Sequence, residues 1–180
     1  MSRYRRATQT GSSYFFTVVT HRRQPILCDD MVRTALRDAI ATVRAARPFQ
    51  IDAWVLMPDH LHCIWTLPEG DADFSVRWMM IKRGVSIACR AAYRRDDWIT
   101  ASREKHRESS IWQRRFWEHH IRNEDDFERH VDYIHYNPVK HGYAESVADW
   151  PYSTFHRHVR NGLYPHDWGG SKGLAIVGFD

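Results

Sequence analysis

The stretch MPDHLHCIW, Met57 to Trp65, sets His60 and His62 one residue apart inside an otherwise apolar run. Residues i and i+2 of a strand face the same side, roughly 7 Å apart at Cα, so the two imidazoles project together while Leu61 and Cys63 face the core. Two neutral imidazoles so spaced can ligate one divalent metal. Farther along, EDDFERHVDYIHYN (Glu124 to Asn137) repeats its apolar residues at helical spacing. At about 100° per residue from Phe127, Val131 and Ile134 form the buried stripe, whereas His130, Tyr133 and Asn137 fall together to one side. Tyr133 is therefore expected on a polar face, with Asn137 one turn later and Pro138 ending the helix there. An amide oxygen at that helix end suits a third metal position, and a phenol one turn earlier would stand where a metal-bridged phosphate is open to attack. Plainer readings fit the same residues: a strand His-x-His that binds nothing, and an amphipathic tyrosine at a helix edge.

Several elements must position these groups. Tyr14 to Thr20 (YFFTVVT) is β-branched and aromatic, hence a strand. An acidic cap at Asp29 leads a helix whose Val32, Leu36, Ile40 and Val43 recur at helical spacing until Pro48. Phe49 to Met57 reads as a second strand, Pro58-Asp59 as a turn, and His60 to Leu67 as a third strand. A helix over Phe74 to Tyr93 follows, with Gly84 a mild flaw in it. Arg94 to Ser110 is polar and charged, as in a surface loop. IWQRRFWEHHI holds a fourth strand, and Asn123 caps the tyrosine-bearing helix, whose acids sit at its positive end. The order β-α-β-β-α-β-α with hairpin joins predicts an α+β fold, a ferredoxin-like antiparallel sheet covered by helices. A single domain is expected over 1–168, with a loose tail over 169–180.

Composition narrows the function classes. With 180 residues and 43% hydrophobic content, the chain can bury a core of its own. The longest apolar runs are too short to span a bilayer, and MSRYRRATQT has no apolar segment behind its basic residues, so no membrane role and a cytoplasmic, nucleoid-associated location are expected. Cys28, Cys63 and Cys89 are odd in number and scattered, which fits reduced thiols better than a disulfide framework or a cysteine zinc site. A net charge of +4 says little, but arginine pairs stand beside aromatics in SRYRR and WQRRFW, the mixture that grips phosphate and stacks on unpaired bases. There is no P-loop, so no nucleotide cofactor is expected.

MPDHLHCIW, QRRFWEHHIRNEDDFERHVDYIHYNPVKHGY and DWPYSTFHRHVRNGLYPHDWGG resemble, in order and spacing, the REP-associated tyrosine transposases, single-tyrosine HUH-type enzymes that act on single-stranded DNA. The resemblance runs over nearly the whole chain, and the charged segment Arg94 to Ser110 departs from more compact members. It implies that His60-Leu61-His62 is the metal motif, Tyr133 the nucleophile and Asn137 the residue completing the metal site. It further implies Mg²⁺ or Mn²⁺, a covalent phosphotyrosine, and single-stranded REP-type hairpins as partner, with no obligate protein partner. Arg5, Arg6, Arg114, Arg115, Lys140, Tyr152, His156, Arg157 and Arg160 are candidates for DNA contact, chosen on charge and aromaticity. Two other functions suit the same residues. One is a REP-hairpin-binding protein without catalysis; the other is a hydrolase using metal-bound water, disfavoured because no carboxylate stands in an obvious base position beside the histidines.

Overall fold

The structure, a computed structural model, describes residues 10–106 and 108–169. Arg5, Arg6 and the tail beyond Gly169 lie outside them. β1 (Ser13–Val19), β2 (Gln50–Leu56), β3 (His60–Thr66) and β4 (Trp117–His120) form one sheet in the order β2-β3-β1-β4, with every neighbouring pair antiparallel. β1 and β2 are thus parallel to each other, with α1 (Asp30–Ala46) as their crossover and β3 inserted between them. This is the expected α+β, ferredoxin-like arrangement.

The alternation of β1 and β3 sorts residues between two cores. On one face Tyr14, Phe16, Leu61, Cys63 and Trp65 meet α1 and α2 (Phe74–Ala88) through residues such as Leu36, Trp78 and Ile81. On the other face Phe15, Val55 and Ile64 meet Val131, Tyr133 and Ile134 of α5 (Glu124–Lys140). A Cβ built on Gly84 would lie 3.1 Å from the Ala39 Cβ, so this glycine permits the close crossing of α1 and α2 rather than marking a weak helix. Asp29 sits at the start of α1, yet its carboxylate accepts the Tyr93 hydroxyl at 2.8 Å instead of capping the helix.

Three expectations are corrected. The helix read over Phe74 to Tyr93 breaks at Cys89 into α2 and the short α3 (Arg90–Tyr93). The charged segment contains a helical turn at Asp96–Trp98 and α4 (Ala101–Lys105), whose first turn Thr100 caps. It is tied down where Gln24 donates to the Ser110 carbonyl at 2.9 Å and Ser86 bonds Ser109 at 2.8 Å. Finally, α5 does not end before Pro138 but runs on to Lys140. Its stop is Gly142, at φ +72°, where the Tyr143 amide donates to the Pro138 carbonyl at 2.9 Å and the Gly142 amide to that of Val139 at 3.0 Å. This is the paired closure that a left-handed residue allows after a helix.

Beyond α5 the chain returns to the open edge of β2. Leu56 donates to the Tyr152 carbonyl and Thr154 to that of Trp54, both at 2.9 Å, before the short α6 (Phe155–Arg160). The segment covers backbone that would otherwise form an exposed sheet edge.

Candidate active site

β3 delivers His60 and His62 to the sheet face opposite α1 and α2, both 5% exposed or less. Their rings lie 4.9 Å apart at 76°, an edge-to-face arrangement that lets both nitrogen edges converge. Each ring is held by its Nδ1. His60 Nδ1 lies 2.6 Å from Asp59 Oδ1; a carboxylate can only accept, so this nitrogen carries the proton and the Nε2 lone pair is left to ligate. His62 Nδ1 lies 2.9 Å from Thr17 Oγ1 on the neighbouring strand β1. Burial, with nearby positive groups, pushes the His62 imidazole well below its usual range, so it is neutral near pH 7 as a ligand must be.

Asp59 does a second job. Arg23 Nη1 donates to Asp59 Oδ2 at 3.0 Å, making a chain Arg23–Asp59–His60. Burial raises the Asp59 carboxyl, but the bonds from His60 and Arg23 outweigh it and hold it below the ordinary range. Arg23 arrives through a turn in which Arg22 and Arg23 both adopt positive φ (54° and 51°), uncommon for side-chain-bearing residues in succession. The expectation that no carboxylate stands beside the histidines therefore needs amending. Asp59 does stand there, committed to His60 and Arg23 rather than free to act as a base.

α5 supplies the other half. Tyr133 is 1% exposed, packed 5.2 Å from the His62 ring and 6.0 Å from Phe15. Placing it on a solvent-facing polar side is therefore corrected. α5 buries an arc of about 200° at 100° per residue, because the sheet covers one side and Phe155 and Tyr164, which pack on His135, cover another. Asn137, one turn on, is fully buried, and neither its Oδ1 nor its Nδ2 has a hydrogen-bond partner among the described residues. A buried amide without partners is costly, and donation of its oxygen to a cation would remove that cost. The two turns after Tyr133 bring Lys140 Nζ to 5.1 Å from the phenol ring, and the His141 ring to 5.5 Å from that of His60. The residues present therefore fit a divalent cation held by His60, His62 and Asn137.

Another titratable cluster lies behind Phe15. The ligand-type atoms of His119, Asp126 and His130 fall within 4.8 Å of one another. Their hydrogen bonds explain them without an ion: His119 Nε2 donates to Asp126 Oδ2 at 2.9 Å, and His130 Nδ1 donates to the Asp126 carbonyl at 2.7 Å. The two imidazoles stack at 15°, and nearly parallel rings cannot both direct in-plane lone pairs at one ion. The cluster ties the start of α5 to β4.

The residues singled out for DNA contact are scattered. Arg114 pairs with Glu108 and donates to Ser102 Oγ at 3.1 Å, while Arg115 is exposed. Arg157 donates to the carbonyls of Ile51 and Asp52, and His156 to that of Trp150, so both fasten the returning segment to the domain. The Tyr152 ring lies under the Arg33 guanidinium at 4.6 Å, and Arg160 is exposed. Of this set, Lys140 stands beside the candidate nucleophile.

Residues 8–137 match the family described as "Transposase IS200 like". The chain is 50% identical over 170 residues to the REP-associated tyrosine transposase of Escherichia coli K12, covering 94% of this chain and 92% of that one. The chain belongs to this transposase family. A Haemophilus influenzae relative is 44% identical over 182 residues, covering 99% of both. Among solved structures, a REP-associated tyrosine transposase bound to a REP hairpin superimposes with a TM-score of 0.80 at 50% identity, covering 95% of this chain and 93% of that one. Among the described residues, no helix of this family member is long and apolar enough to cross a membrane.

Proposed function

We propose that the chain is a sequence-specific endonuclease and strand transferase for single-stranded DNA, acting on REP-type hairpins through a 5′-phosphotyrosine on Tyr133. The observation that carries this reading is the buried Tyr133 ring packed against His62, one helical turn before an Asn137 amide that lacks hydrogen-bond partners among the described residues. The relative solved with a REP hairpin supports the choice of DNA.

In the reaction the Tyr133 oxygen attacks the scissile phosphorus, an O–P bond forms, and the P–O3′ bond breaks. The phenol proton is lost and the departing 3′-oxygen gains one, so a phosphodiester is exchanged for another and no ATP is needed. A divalent cation, Mg²⁺ or Mn²⁺, held by His60, His62 and Asn137 would polarise the phosphate and stabilise charge on its oxygens. The remaining contributions come from the protein. Asp59 fixes the His60 tautomer, Thr17 orients His62, and α5 holds the phenol on a rigid element so that little orientation is lost during attack.

The test is denaturing electrophoresis of protein incubated with labelled single-stranded hairpin and Mn²⁺. A protein-linked DNA band is expected, lost in Tyr133→Phe and kept in Tyr136→Phe. Cutting by Tyr133→Phe at a comparable rate, or an adduct at Tyr136 or Tyr143, would show that another group attacks.

A further inference from the structure

The largest concavity of the molecule is away from the histidines. It is a groove of about 830 Å³ between the outer face of α2 and the segment running from Arg94 to Phe116. α2 contributes Met79, Lys82, Arg83 and Ile87, which share one helical stripe that Arg90 continues; the opposite wall adds Arg94 and Arg114. Met79 and Ile87 are 60% and 65% exposed, among the most open apolar side chains of the described residues.

The charges in the groove have different duties. Lys82 Nζ donates to the carbonyls of Gln113 and Arg114 at 2.6 and 3.3 Å and pins the floor to α2. Arg94 pairs with Asp96, and Arg114 with Glu108. Arg83 and Arg90 are exposed, and neither side chain makes a hydrogen bond or ion pair with any described residue. Five cationic side chains against Glu104 and Glu108 leave the groove positive.

Its floor is close to the catalytic candidates. The Gln113 amide donates to the Val19 carbonyl at 3.0 Å, and Val19 pairs with His60. Two strand spacings, roughly 10 Å, therefore separate the floor from the histidine pair. Between them Arg22 and Arg95 flank Trp98, their guanidinium carbons 4.8 and 5.8 Å from its ring.

We infer that this groove seats the phosphate backbone of the double-stranded stem of the hairpin whose unpaired foot enters the Tyr133 site. The inference rests on the proposed hairpin substrate and adds where the duplex part lies. Charge selects a polyanion over a neutral protein surface. The aromatic lining selects backbone over bases: Trp112 is 4% exposed and Phe116 is half-buried, so neither offers an open face for stacking unpaired bases. Backbone recognition without base readout is what arginines on an open groove provide.

The test compares two DNA probes by fluorescence anisotropy across a salt series. One is a hairpin with a stem of about ten base pairs, roughly one helical turn, and a single-stranded foot; the other is the foot alone. Arg83→Ala/Arg90→Ala is expected to weaken hairpin binding and make its plot of log affinity against log salt shallower by about two, one for each phosphate no longer neutralised, with foot binding unchanged. Arg83→Lys/Arg90→Lys should restore most of the slope, which a folding defect would not allow. Unchanged hairpin affinity in the alanine variant, or equal losses for hairpin and foot, would overturn the inference. So would self-association abolished by Ile87→Ser with hairpin binding intact, because the groove would then seat a second copy. A wild-type protein that binds neither probe would instead remove the proposed substrate itself, a result distinguishable from failure of the groove alone.

Discussion

His135 makes acid stability a direct measure of how the returning segment is docked on α5. Its ring is fully buried, with Nε2 3.2 Å from Thr154 Oγ1 and the rings of His158, Tyr164 and Phe155 within 6 Å of its own. Burial, with His158 and Arg157 close by, lowers its pKa to about 3. The unfolded chain takes up the proton near the ordinary value of about 6.5, so between the two values the unfolded state binds more protons and stability falls as pH falls. At about pH 5 the gap from 6.5 is about 1.5 units, or about 2 kcal/mol from this one side chain, a roughly 30-fold rise in the unfolded fraction. His135→Phe keeps a ring in the pocket and loses the bond to Thr154, at about 1 kcal/mol near neutral pH. It has no proton to gain, however. Urea unfolding at about pH 7.5 and about pH 5 should show wild type losing about 2 kcal/mol more than the variant between the two conditions. His62, His130 and His158 are lowered in the same direction, but their contribution is common to both proteins and cancels in the comparison. Equal losses in wild type and variant would refute the buried neutral imidazole and the docking built on it.

Asp59→Asn retains an acceptor for His60 but removes the charge and the ion pair with Arg23. Mn²⁺ affinity by titration calorimetry should fall about 10- to 100-fold while hairpin binding persists, and an unchanged affinity would exclude Asp59 as the group that orients His60. Gly142→Ala forces a Cβ onto φ +72° with no neighbour within 4 Å to clash with, so its cost is conformational alone, about 1 kcal/mol in urea unfolding. Gly142→Asn should recover part of that loss, since asparagine tolerates the left-handed region. Because the same turn ends the helix just after Lys140 and His141, cleavage should fall in the order glycine, asparagine, alanine, and identical rates in all three would separate the helix end from the chemistry.

The local pattern of the sequence was enough for the sheet and its helices. The apolar alternation of β1 and the spacing of Val32, Leu36 and Val43 define elements whose order allows few topologies, and the pair His60 and His62 can be set on one strand face by parity alone. Parity and helical angle say which side a residue faces, not what lies opposite. Tertiary structure decided that Tyr133 is buried against His62, because α5 is covered both by the sheet and by a segment that follows it in the chain. It also decided that Asp59 holds His60 while bonded to Arg23, an interaction across 36 positions made by a turn in an unusual conformation. The end of α5 differs from the local reading because proline is a strong signal in sequence, whereas the closing bonds at Gly142 draw on carbonyls from the preceding turn. The groove beside α2 had no signature in the sequence, since its two walls are distant in the chain and only their packing brings the exposed Arg83 and Arg90 opposite Arg94 and Arg114.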